Sequence, residues 1–236
     1  MRFRGLWWKA ATALWMCAAI AAAFVYVGPV QTASGQPVFT MGGHGAKLIF
    51  FHVPCAWMAC VAYVAAAWYA ARYLARCRRP LPAGPPEDDL KSAAAMELGL
   101  LFAVLATVTG SIFSHNEWGM YWSWDPRQTS IVVVMLLFAG YLVLRGALDD
   151  PGVRARLSAA YAVVAVVPAL FLIWVLPRIV ETLHGFANEA VFVGLGASFR
   201  LVLYGLALPA FIGLFTWMFQ LRLRAMKLEW RRDEAP

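Results

Sequence analysis

Trp118-Gly119-Met120-Tyr121-Trp122-Ser123-Trp124-Asp125-Pro126-Arg127-Gln128-Thr129 lies between two apolar runs, at 94–114 and 129–145. Each run is long enough to cross the roughly 30 Å hydrocarbon core of a bilayer as a helix, so the stretch reads as a short connection at a membrane edge. Three tryptophans and a tyrosine fall within residues 118–124. Interfacial belts use such side chains in ones and twos. This density builds a broad aromatic surface that can bury a large flat partner.

Working outward, further apolar runs lie near 10–28, 48–71, 157–177 and 200–221, six in all, with no Asp, Glu, Lys or Arg in their cores. Residues are 62% hydrophobic and 14% charged. The expected fold is an all-α integral membrane protein with six transmembrane helices, forming one domain over residues 1–236. The run at 10–28 exceeds the ~7–15 residues of a signal-peptide core and is read as a retained span. No internal repeat suggests an inverted-repeat transporter.

Charge sets the expected orientation. The N-terminus, the 72–93 and 145–156 connections and the C-terminal tail hold 16 of the 20 Lys and Arg residues, against Lys47, Arg127, Arg178 and Arg200 on the other side. By the positive-inside rule both termini are cytoplasmic, and the 29–47, 115–128 and 178–199 connections are extracytoplasmic. The net charge of +7 is then topological: it favours anionic lipid headgroups and gives no support to nucleic-acid binding.

The inward connections are plain. Residues 78–89 read as a Pro-rich linker, and Asp149-Asp150-Pro151-Gly152 as a tight turn. Cys17, Cys55, Cys60 and Cys77 form no CxxC pair and read as small buried or idle thiols. The outward connections are richer: Met41-Gly42-Gly43-His44-Gly45 is expected to be flexible, and 178–199 carries Leu183-His184-Gly185-Phe186.

All four histidines, His44, His52, His115 and His184, fall on the outward side of this topology. Histidine is a common axial ligand of haem iron, and haem is planar, mostly apolar and edged by carboxylates that an Arg can meet. His52 lies roughly 7 Å along its span at ~1.5 Å per residue, where an ionisable side chain is a functional candidate. Its plainer reading is a neutral imidazole bonded to a backbone carbonyl. Pro54, two residues on, leaves the carbonyl of Phe50 without its helical donor and can bend the helix. His184 is the best second ligand, its plainer reading being a solvated loop side chain; His44 and His115 read as loop residues.

Asp125, Pro126 and Gln128 have the form of a helix start: N-cap, first helical position and capping-box partner. Arg127 projects from that first turn, either to an ion pair with Asp125 or Glu117 or to a propionate. The candidate haem contacts are therefore His52 and His184 as axial ligands, with Trp118, Gly119, Trp122, Trp124, Asp125 and Arg127 around them. Arg178 or Arg200 could serve as further propionate partners.

The Trp-rich stretch resembles the WWD signature of membrane proteins that handle haem in cytochrome c maturation. With Ile49-Phe50-Phe51-His52-Val53-Pro54, Thr182-Leu183-His184, six spans and 236 residues, the chain resembles the CcmC family, haem exporter protein C. The resemblance implies a non-enzymatic protein of the bacterial inner membrane that holds haem b at the outer face through His52 and His184. It implies delivery to the haem chaperone CcmE, with an ABC transporter of CcmA and CcmB and the small membrane protein CcmD as partners. Two alternatives stand beside it: a haem permease or exporter subunit, and a CcsA-like haem-handling subunit of a cytochrome c synthase. The wording of residues 120–126 is closer to the CcsA branch, whereas chains of that branch are longer.

Overall fold

A computed structural model describes residues 4–28, 41–77, 86–183 and 197–233. Among these residues there is no strand, and six helices are long and apolar enough to cross a membrane. They are Leu6–Tyr26, Gly45–Arg76, Glu87–Trp118, Pro126–Gly146, Pro151–Ile179 and Ala197–Arg232, the first to sixth spans below. Each predicted apolar run falls in one of them.

In lipid, apolar side chains gain little by touching one another instead of acyl chains, so helices associate where small residues let their backbones approach. The second span buries Ala59, Ala62, Ala66 and Ala70 at helical spacing, and the third buries Ser92, Gly99, Ala103 and Ala106. These two spans form the most extensive helix pair among the described residues. They run antiparallel along a continuous seam. At one end Ser92 Oγ donates to the carbonyl of Ala66 at 3.0 Å, midway Gly99 lies against Ala62, and at the other end His52 meets Ala106 and Gly110. The fourth span closes over the seam with Phe138, whose ring packs on Tyr63 at 4.1 Å between centroids.

The spans outrun the apolar runs at one end of the bundle, and the residues there explain why. Glu87, Asp88 and Asp89 belong to the first turn of the third span, not to the linker expected over 78–89; residues 78–85 lie outside the described residues. Three acids at a helix N-terminus sit against the positive end of its dipole, and their carboxylates find bases. Arg76 reaches Asp88 at 2.8 Å, and Arg145 grips both oxygens of Asp89 at 2.7 and 2.6 Å. Lys227 of the sixth span bonds Glu87, and Arg222 bonds Glu97. Asp88 and Asp89 are each only 3% exposed; Asp88 is met by exposed guanidiniums, whereas the Asp89–Arg145 pair is shielded on both sides, so removal of Arg145 strands a buried charge.

The opposite end carries the Trp-rich connection, and there the helices depart from regular geometry. The first, fifth and sixth spans pass through π-helical segments at Ala22–Tyr26, Phe171–Val175 and Leu201–Ala207. Met41–Gly45, expected to be flexible, belongs to a 3₁₀ helix, Met41–Leu48, that runs directly into the second span. The tight turn expected at 149–152 is instead a helix start: Pro151 and Gly152 open the fifth span and Asp150 is its N-cap, the carboxylate accepting from the Val153 N–H at 2.7 Å. All four cysteines are free.

The first span is the most lipid-exposed of the six and rests on the sixth. Trp8 packs edge-on against Trp217, Thr12 fills the space over Gly213, and Trp15 Nε1 donates to the carbonyl of Leu206 at 3.1 Å. Near its end, Lys47 donates to the carbonyl of Phe24.

The seam gives a stability prediction. A Cβ on Gly99 would sit 2.2 Å from Cε1 of Phe138 and 3.1 Å from Cβ of Ala62, and Phe138 is fully buried. Overpacking of this kind costs about 1–3 kcal/mol. Thermal unfolding in detergent is expected to show Gly99→Ala melting several degrees below the parent protein. Gly146→Ala, where a Cβ meets nothing within 4 Å, should melt with it.

Candidate functional site

His52 lies near the start of the second span's α-helix, Ile49–Arg76, at the Trp-rich end of the seam. Its Nδ1 is 2.9 Å from the carbonyl oxygen of Ala106 on the third span. A carbonyl only accepts, so Nδ1 carries the proton and Nε2 keeps its lone pair. The ring lies so close to the third span that a Cβ on Gly110 would stand 2.6 Å from Cε1 and 2.9 Å from Nδ1. The plainer sequence reading of His52, an imidazole bonded to a backbone carbonyl, is thus realised across helices. That bond is also the arrangement that orients a metal-ligating histidine through its second nitrogen.

The Trp-rich connection is shorter than the expected 115–128. The third span continues to Trp118, which places His115, Glu117 and Trp118 on a helix. Gly119 then ends it in the left-handed conformation, φ 75°, where glycine carries no Cβ penalty. Residues 119–125 form the loop, held from beneath by two buried side chains. Ser114 Oγ donates to the carbonyl of Met120 at 2.7 Å. Gln128 Oε1 accepts from the N–H of Ser123 at 2.8 Å and from its Oγ at 3.1 Å, while Gln128 Nε2 donates to Ser114 Oγ at 3.3 Å. Gln128 therefore reaches back past Asp125, the capping-box partner expected for it, to the N–H and hydroxyl of Ser123.

Asp125 is the N-cap of the fourth span, as expected, with Pro126 at the first helical position. Its Oδ1 accepts from the N–H of Arg127 at 2.9 Å, and its Oδ2 accepts from the N–H of Leu183 at 2.6 Å. Just before it, Trp124 has φ 58°, the one non-glycine residue with positive φ among the described residues. A bulky side chain there costs on the order of 1 kcal/mol and persists only where neighbouring contacts over-determine the backbone.

The loop displays its rings rather than burying them. Trp124 is 71% and Tyr121 59% exposed; Trp122 meets Trp124 edge to face at 5.6 Å. His115 is stacked on Tyr121 at 4.2 Å, which accounts for it as a loop support, and Trp118 packs edge-on to Phe113. Beneath the rings is a cavity of about 150 Å³ bounded by His52, Trp122, Arg127, Gln128 and Ser130 and closed by Leu172 and Ile173 of the fifth span's π-helical segment. His52, Trp122 and Arg127, predicted from two stretches about seventy residues apart, share this one cavity.

Other candidates fall outside it. The Arg178 guanidinium lies over the Trp174 ring, 5.2 Å from its centroid, and bonds the Trp174 carbonyl. Arg200 ends the short helix Ala197–Arg200 that begins the sixth span. His184 and the side chain of His44 lie outside the described residues. Among the described residues no cluster of three His, Cys, Asp or Glu side chains could cage a metal ion. The donor set fits haem: an imidazole with a free Nε2, a cation beside it and apolar rings above. The cavity alone does not hold a macrocycle, since ligand pockets run to about 300–1,000 Å³, whereas the exposed rim provides the remaining surface.

The sequence reading did not single out Ala106, Gly110 or Ser114, nor the place of Gln128 under the loop. Ala106 and Gly110 carry a visible signal, small residues four apart inside an apolar run.

A family-wide sequence model for CcmC, described as heme exporter protein C, matches residues 4–235. The proteins called heme exporter protein C of Bradyrhizobium diazoefficiens and Paracoccus denitrificans are 32% and 31% identical, over 65% and 77% of this chain. That of Escherichia coli K12 is 29% identical over 53% of it. The matched regions span 55%, 73% and 48% of those three proteins' own lengths.

The hydrogen-bond frame makes the loop testable. Gln128→Leu keeps the volume but leaves the Ser123 N–H and Ser114 without this partner, a loss of about 1–3 kcal/mol for buried polar groups. Hydrogen exchange is expected to speed up across residues 119–125 and to stay unchanged at the Asp89–Arg145 end. Protection retained at residues 119–125 would show that the frame does not hold the loop.

Proposed function

The chain belongs to the CcmC family, heme exporter protein C, and from that premise we propose that it binds haem b at the outer face of the membrane and delivers it to the haem chaperone CcmE. It is a multi-pass protein of the bacterial inner membrane, with six spans and bacterial relatives. In this proposal the unit is the whole chain as one membrane domain, with the Trp-rich loop extracytoplasmic and both termini cytoplasmic. The excess of Lys and Arg at the opposite end supports that orientation.

The observation that carries the reading is His52, whose proton is committed to Ala106 and whose ring bounds the same cavity as Trp122 and Arg127. When bound, haem supplies an iron that accepts axial ligands and two carboxylates along one edge. His52 offers Nε2 from the membrane side, and His184 is the proposed second ligand. Trp118, Trp122 and Trp124 supply apolar ring surface, with Gly119 allowing close approach of the loop backbone and Asp125 holding the loop's end. Arg127, half-buried at the cavity edge, meets a propionate where the low dielectric strengthens the pairing.

The open aromatic face suits cargo over a resident cofactor. A closed pocket retains its ligand; a rim of exposed rings leaves one side free for a recipient. The further proposed partners are the transporter subunits CcmA and CcmB and the small protein CcmD, whose place in the assembly follows the family and not the geometry.

Absorption spectra of the purified protein with haem supplied test the assignment. The parent protein is expected to show a six-coordinate low-spin spectrum, weakened or lost in both His52→Ala and His184→Ala. Gly110→Ala, which pushes directly on the His52 ring, should weaken it with the imidazole still present. Haem indifferent to all three substitutions would remove the ligand assignment.

A further inference from the structure

The second span carries a groove away from the cavity beneath the Trp-rich loop. It has a volume of about 410 Å³ and is lined by Cys60, Val61, Val64, Ala65, Trp68 and Tyr69. Residues three and four apart share a helix face, so Val61, Val64, Ala65 and Trp68 form one stripe along the span. Val61, Val64 and Trp68 are exposed, which leaves the stripe open to the bilayer. Its borders are fixed by neighbouring helices. Trp174 of the fifth span donates Nε1 to Cys60 Sγ at 3.2 Å, and Tyr69 stacks on Phe219 of the sixth span with 6.2 Å between centroids.

The stripe runs on into charge. Arg72 lies one helical turn beyond Trp68, and Arg76 one turn beyond Arg72. From Val61 to Arg72 is roughly 16 Å at ~1.5 Å per residue, about half of the roughly 30 Å hydrocarbon core and so the depth of one leaflet. Arg72 and Arg76 stand 3.5 and 2.8 Å from the Asp88 carboxylate, but neither oxygen of Asp88 has a hydrogen-bond partner among the described residues. The two side chains are 40% and 61% exposed. Two cations therefore share one carboxylate, and a guanidinium has five N–H donors to offer a second anion.

We propose that this face of the second span binds one anionic phospholipid from the leaflet at the basic end of the bundle, an acyl chain lying in the groove and the phosphate meeting Arg72 and Arg76. The fork of a guanidinium matches phosphate oxygens, and basic sites beside membrane helices take anionic headgroups in this way. A zwitterionic lipid fits the groove equally well but brings no net charge to the excess cation. A transmembrane helix is a poorer occupant, because close helix contact in lipid needs small residues and Trp68 projects from the middle of the stripe. The inference is independent of haem.

Quenching of tryptophan fluorescence by lipids brominated along their acyl chains tests the site. The full-length protein is reconstituted into phosphatidylcholine vesicles containing brominated phosphatidylglycerol or, at the same mole fraction, brominated phosphatidylcholine. The Trp68 share of the quenching is the part lost in Trp68→Phe, taken in each background. Phosphatidylglycerol is expected to occupy the site about fivefold more strongly per cation it meets. Arg72→Gln leaves Asp88 its nearer partner, Arg76, and should lower that preference about fivefold; Val64→Phe, which fills the groove and keeps both cations, should lower quenching of Trp68 by both lipids. Arg231→Gln removes an exposed cation from the same end of the bundle and should change nothing. Equal quenching by the two lipids in the parent protein overturns the proposal. So does a parental result in Arg72→Gln or in Val64→Phe, or an equal loss in Arg231→Gln, which is attraction to the basic end as a whole. Trp68 shielded from both lipids in a protein that is dimeric by native mass spectrometry overturns it in favour of a second copy of the chain on this face.

Discussion

Close approach of the second and third spans is the constraint on which the rest of the structure depends. A bilayer gives no hydrophobic reward for bringing two apolar helices together, so the pair is made by removing side chains until backbones nearly touch. Ala59, Ala62, Ala66 and Ala70 face an environment with Ser92, Gly99, Ala103 and Ala106. The same register that admits Phe138 over Gly99 brings His52 within reach of a carbonyl on the neighbouring helix. The imidazole is oriented by the packing of the bundle and not by a loop.

The two ends of the seam are finished with different chemistry. At one, buried carboxylates of the third span take an exposed guanidinium from the second and a shielded one from the fourth. At the other, neutral hydrogen bonds from Ser114 and Gln128 carry a loop whose largest side chains are left exposed. Ion pairs shielded from solvent resist rearrangement, whereas a hydrogen-bonded loop over a small cavity can yield locally without disturbing the helices below. The π-helical segments of the first, fifth and sixth spans lie at that same yielding end.

Much of this was legible in the sequence, for identifiable reasons. Uninterrupted apolar runs located every span, and the Asp-Pro pair located the start of the fourth, because both signals are local. The third span's beginning was not legible: Glu87, Asp88 and Asp89 look like linker until Arg76, Arg145 and Lys227 are seen to neutralise them. Gln128 occupied its predicted position yet bonded Ser123 and Ser114, because the loop folds back over the first turn of the fourth span, a tertiary fact that the capping-box spacing does not contain. The importance of Gly110 depends on which residue of another helix stands opposite, a fact of register that one-dimensional spacing does not contain. His184 was named from its motif and lies outside the described residues.

The first span draws its described cross-helix partners largely from the other end of the chain: Trp217 against Trp8, Gly213 against Thr12 and the Leu206 carbonyl against Trp15. A ribosome makes those partners last. During synthesis the first span is therefore made before these partners exist, and its tryptophans have acyl chains for neighbours until the sixth span follows. A chain halted before Leu206 would keep the pair of spans that carries His52 but lack these contacts to the first span.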